Sequence, residues 1–187
     1  MSTTLERNKT GNYSIDPTHS RIGFVARHAM VTKVRGSFNE FTGTGYFDAD
    51  NPAASHLSLT IETASIDTRN ADRDGHLRTN DFFDVPTYPQ ITFVSTVVEP
   101  IDANNVRVTG DLTIKGITLP VTVDFEIVGT ATDPYGNQRL GLDGSAVINR
   151  KDWGVSFNAV LDNGGLMVSE KITLEFEVSA IRIADPA

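Results

Sequence analysis

Apolar residues recur at every second position in run after run of this chain, and that period points to strands with two unlike faces. The last run is the cleanest: Ile172, Leu174, Phe176 and Val178 alternate with Thr173, Glu175, Glu177 and Ser179. Val121, Val123, Phe125 and Ile127 keep the same step, as do Leu140, Leu142, Ala146 and Ile148. Val106, Val108, Leu112 and Ile114 line up at even spacing, and Leu57, Leu59 and Ile61 share a face. Ile91, Phe93 and Val97 are expected on one side of a strand, and Ile22, Phe24, Ala26 and His28 on one side of another. With a further strand between Gly36 and Phe47, the count reaches about eight. Turn signals at Asp102 to Asn105, Leu119-Pro120 and Asp133 to Asn137 join neighbours by short loops, which makes them antiparallel. No βαβ alternation appears, so a parallel sheet is not expected. Glycines read as bends (Gly23, Gly36, Gly43, Gly45, Gly110, Gly141, Gly144) suit a closed or nearly closed barrel, wide enough for side chains or one small ligand.

Two segments break the pattern. Arg69 to Phe93 reads RNADRDGHLRTNDFFDVPTYPQITF, and its Arg69 to Asp84 part is expected to hold one or two short helical turns. Trp153 to Gly165 is the second, marked by Gly154, Gly164 and Gly165. A long excursion inside an all-β chain commonly serves as a lid or binding loop.

The 187 residues fit one domain with a sizeable core, expected over 13–183 after a flexible stretch at 1–12, with Asp185 to Ala187 frayed. A net charge of −8 disfavours nucleic acid, whose phosphates need a positive field. No window approaches a membrane span, and MSTTLERNKTGN lacks the apolar core of a secretory signal, so a cytoplasmic address is expected. Without cysteine there are no disulfides, thiolate metal sites or cysteine nucleophiles.

The four histidines, His19, His28, His56 and His76, show no metal-ligand spacing, so no metal site is expected. Asp72, Asp74 and Asp81 lie near His76 and could support proton transfer, but caps and loop-fixing hydrogen bonds are the favoured reading. Ser145 lacks the context of a nucleophile elbow, and the Gly43 to Gly45 stretch leads into no helix that would make a phosphate loop. Arg150, Lys151 and Trp153 in INRKDWG stand at a strand end, as a rim salt bridge with a tryptophan packed over the barrel end or as ligand-facing groups. Ten phenylalanines either fill a core or line a cavity, and periodicity does not separate the two.

YSIDPTHSRIGFVARH (Tyr13 to His28), VRGSFNEFTG (Val34 to Gly43), RDGHLRTNDFFDVPTYPQITF, GDLTIKGITLPVTV (Gly110 to Val123) and INRKDWG (Ile148 to Gly154) resemble, in order, the blocks of YceI-like domains. The resemblance covers Tyr13 to Ile183. It implies a lipocalin-like antiparallel barrel with an internal tunnel for a long apolar chain: a polyisoprenoid, an isoprenoid quinone or a fatty-acid derivative. It implies no catalytic residues and no cofactor beyond such a lipid, and it makes a homodimer an option. Many members carry a secretion signal, and none is expected here. On that pattern Phe24, His28, Phe38, Phe93, Leu112, Phe125 and Phe176 are expected on the tunnel wall. Leu77, Phe82, Phe83, Trp153 and Phe157 would close or line it from the two non-strand segments, and His76, Arg78 or Arg150 would meet a polar head group.

Overall fold

A computed structural model describes residues 9–159, 161 and 167–184. Gly164 and Gly165, and the expected tails at 1–8 and 185–187, lie outside the described residues. Among the described residues the strands are β1 (Gly11–Ile15), β2 (Arg21–His28), β3 (Thr32–Phe38), β4 (Phe41–Phe47), β5 (His56–Glu62), β6 (Ile66–Asp67), β7 (Gln90–Pro100), β8 (Asn105–Ile114), β9 (Ile117–Thr132), β10 (Gln138–Asn149) and β11 (Lys171–Ile183), with one α-helix, α1 (Ala71–Leu77). Every pairing is antiparallel, and β1–β4–β5–β7–β8–β9–β10–β11 closes on itself through β1–β11. The barrel therefore starts at Gly11, two residues before the expected boundary, because Gly11 and Asn12 pair with Phe47 and Tyr46.

Eleven segments become eight barrel strands through two bends, with the two-residue β6 left over as a short addition beside β3. β1 and β2 form one strand interrupted by a 3-10 turn at Pro17–His19. β3 and β4 form its partner, broken at Asn39 and Glu40. At the bend β11 exchanges β1 for β2, Ala180 facing Ile15 and Phe176 facing Ile22.

Two sequence expectations shift. The β8–β9 turn falls at Lys115 and Gly116, both at positive φ, and β9 runs straight through Leu119-Pro120. Pro120 is tolerated because β10 pairs with β9 only from Asp124 onward, leaving Pro120 on a local edge. Val97 is the second: a bulge between Ser95 and Val97 adds a residue, so Val97 points out (47% exposed) and Val98 points in (4%).

At one end the strands diverge in two places, and the two non-strand segments fill the gaps. At Ser37 and Phe38, β3 has β6 instead of β5 as its neighbour, and α1 with its following turns covers this region. Where β9 and β10 part, the 3-10 turn Arg150–Trp153 packs against β9, and the Trp153 indole N–H donates to Leu112 O at 2.9 Å. Lys115 ties both plugs together, its ammonium donating to Asn80 O and Gly154 O, each at 3.3 Å.

The opposite end is drawn shut by Tyr13, Val98, Val108, Leu140 and Ala180, all buried. Outside this cluster Arg139 bridges two carboxylates, Asp16 at 2.8 Å and Asp133 at 2.9 Å, joining the β1–β2 bend to the β9–β10 hairpin. The Arg139 hydrogen bond, helped by His19 and the Thr18 amide against the effect of burial, holds Asp16 down at about 2. Burial pushes Asp133 up, but bonds from Asn137, Arg139 and the Tyr135 amide outweigh it and set it at about 2. Both groups ionise more readily folded than unfolded. They therefore add stability above the ordinary carboxylate range, and that contribution is lost as pH falls from about 4 towards 2. The expected outcome is a falling Tm across that window, partly flattened in Arg139→Gln; equal slopes for the two proteins would show that the bridge contributes nothing.

Candidate functional site

The barrel interior is not filled. A cavity of about 300 Å³ runs inside it, roughly twenty times what one water needs. Its wall includes both Leu140 and Ile148 of β10, eight residues apart, so it extends roughly 27 Å along that strand and about 20 Å along a tilted barrel axis. The wall is almost entirely hydrocarbon.

Glycine keeps the bore open. Phe24 pairs across strands with Gly36, and Phe125 with Gly144. Phe93 lies diagonally beside Gly110, with Leu112 directly opposite. A Cβ built on any of these three glycines would run into the partner ring, at Gly144 within 2.6 Å of Phe125 Cδ1. Each ring therefore lies over a bare stretch of backbone instead of reaching across the lumen, and the close approach is possible because the glycine has no side chain. These glycines were expected to mark bends; they serve as seats for aromatic rings. The choice between a phenylalanine-filled core and a phenylalanine-lined cavity is settled by the strand register.

Phe24, Phe38, Phe93, Leu112, Phe125 and Phe176 all stand on the cavity wall, as do Leu77, Phe82 and Phe83 from the α1 plug. Phe38 links the barrel to that plug, with ring centroids 5.7 Å from Phe24 and 6.1 Å from Phe83. Tyr13, Phe47 and Val98 line the other end and escaped the sequence reading. Their signal was weak: in FTGTGYF two of the four inward positions are glycine, and Val98 is shifted by the bulge.

Arg150 also reaches the wall, but as a buried anchor. Its guanidinium donates to the carbonyls of Ser169 (2.9 Å), Val155 (2.6 Å), Phe157 (2.9 Å) and Val168 (3.4 Å), holding the second plug around it. Burial pulls this guanidinium below its ordinary pKa, with Glu170 opposing. Lys151 and Glu170 form the rim salt bridge at 2.9 Å.

Five residues expected at the site, three on the wall or closing it (His28, Trp153, Phe157) and two at a head group (His76, Arg78), lie off the cavity wall. His28 is exposed, because the β2–β3 hairpin extends past the barrel: alternation gives a residue's face but not how far the strand overshoots the core. Arg78 is committed to the carbonyls of Ala64 and Ile66, at 3.0 and 3.2 Å. Trp153 is buried behind the wall, where its indole needs the Leu112 carbonyl. His76 and Phe157, both exposed, pack edge-on against each other and against the buried Phe82, with ring centroids 5.1 to 5.2 Å apart. His76 Nε2 lies 2.8 Å from Asp81, and this pair is outside the cavity. Asp74 accepts from the Thr68 amide at 2.8 Å, and Asn70 caps α1. The charge in this excursion therefore mainly fixes its loop.

A pair of glycine substitutions separates seat from scaffold. Gly144→Ala should turn the Phe125 ring towards Phe176 and destabilise the barrel by about 1–3 kcal/mol through overpacking. Gly75→Ala, in α1 with open space around it, should stabilise by about 0.5–1 kcal/mol. Denaturant midpoints measure both, and a neutral Gly144→Ala would contradict the seating role.

A family model described as the YceI-like domain matches residues 13–180. Protein YceI of Escherichia coli is 38% identical over 173 residues, covering 91% of this chain and 87% of that protein. The crystal structure of BcnA from Burkholderia cenocepacia has a TM-score of 0.77 at 29% identity, covering 88% of this chain and 98% of that one. A polyisoprenoid binding domain from Saccharophagus degradans, implicated in plant cell wall breakdown, has a TM-score of 0.69 at 16% identity, covering 94% and 100%, a likeness of fold. Family model, relatives and barrel agree: the chain belongs to the YceI-like domain family.

Proposed function

We propose that the barrel holds a long-chain apolar lipid (a polyisoprenoid, an isoprenoid quinone or a fatty-acid derivative) for storage or transport. The observation that carries this reading is the carbon-walled cavity, narrow and about 20 Å long by strand geometry. The polyisoprenoid-binding neighbour of the same fold supports it. Each buried CH₂ contributes about 0.8 kcal/mol, so a tail of about fifteen carbons gives on the order of 12 kcal/mol before ordering costs. Affinity of that origin needs no polar chemistry. Selectivity would come from bore width and length, set by the seated phenylalanines and by the buried cluster at the shut end. The reading holds for a monomer or a homodimer.

The test is native mass spectrometry of the purified protein, with organic extraction and with added prenyl lipid. The expected result is a copurifying lipid mass or one-to-one uptake of the added lipid. Bare polypeptide in both arms would overturn the reading.

A further inference from the structure

The β2–β3 hairpin overshoots the barrel at the plugged end and has an unusual tip. Val31 N–H donates to His28 O at 3.0 Å, closing a turn whose central residues, Ala29 and Met30, both have positive φ (51° and 61°). That geometry favours Asn-Gly and is strained for alanine and methionine. The turn exposes Met30 (57%) and Val31 (74%). Met167 lies alongside, its carbonyl accepting from the Ala29 amide at 2.7 Å, and is itself 38% exposed.

The charges along the hairpin itself have one sign. No Asp or Glu occurs between Asp16 and Glu40, in a chain of net −8. Arg27 stands directly opposite Lys33, and Arg35 follows opposite Val25. A cross-strand pair of like charges is unfavourable unless something anionic lies over it. Among the described residues, none of the three forms an ion pair. The hairpin base also belongs to the cavity: Ala26 lies on its wall, and Val168, another wall residue, bridges His28.

We infer that this hairpin docks the protein onto an anionic lipid bilayer, with Met30 and Val31 entering the interface and Arg27, Lys33 and Arg35 at the phosphates. Among the described residues, no helix is long and apolar enough to cross a membrane, so the contact is peripheral. A strained apolar turn flanked by cations that form no ion pair among the described residues meets the two requirements of interfacial binding, buried apolar area and attraction to anionic headgroups. The inference deepens the lipid-carrier reading by placing the membrane contact where the cavity wall meets the hairpin.

Flotation with phosphatidylcholine vesicles, with and without phosphatidylglycerol, tests it. The wild-type chain should float with the anionic vesicles, and binding should weaken as salt rises. Lys33→Gln with Arg35→Gln should weaken binding about thirtyfold, at about fivefold per charge. Ala29→Asn with Met30→Gly relaxes the turn, so it should keep or raise Tm while reducing flotation. No flotation of the wild-type chain, or equal flotation of the relaxed-turn variant, would overturn the docking. So would conversion of a dimer to a monomer by that variant without loss of flotation, since the tip would then be an interface between copies. Lipid uptake in the mass-spectrometric test is independent of these outcomes, so either reading can fail alone.

Discussion

Everything in this molecule depends on closing the backbone ladder through β1–β11. A ring of eight strands has no free edge, and its strand number fixes an interior just wide enough for side chains or one slim ligand. The ring closes fully only at one end. At the other the strands part twice, and two irregular segments bring apolar side chains into the gaps. The architecture is a barrel with one built end and one plugged end, and its hydrophobic space lies between them.

The plugs are held by polar groups turned away from that space. Arg150 spends its donors on four carbonyls, Arg78 on two, and Asp74 receives the Thr68 amide. Charge of this kind, buried at Arg150 and Asp74 and half-buried at Arg78, organises a loop by saturating backbone groups that lack sheet partners. That is why charge concentrated around His76 and Arg78 is a poor guide to a reactive centre in this chain, and why the aromatics beside it are the better one.

The strand count and most inward faces were legible because alternation with a period of two survives along most of each long strand. Legibility failed where a backbone irregularity intervened. The bulge near Ser95 moved Val97 outward, the early divergence of β9 and β10 allowed Pro120 inside a strand, and the overshoot of β2 carried His28 into solvent. Trp153 and Phe157 lie in a segment with no period, so nothing in the order of residues could tell the front of the wall from its back. The meaning of the glycines was also hidden, because it depends on which residue stands across the strand.

That last point bears on how such a bore could vary among relatives. Its gauge is carried in couplets, one aromatic and one glycine on neighbouring strands, such as Phe125 with Gly144. Losing the aromatic alone bares main chain to an oily interior, and filling the glycine alone forces the ring into the lumen. Calibre is then read from paired positions together, and a column-by-column comparison of sequences would miss it.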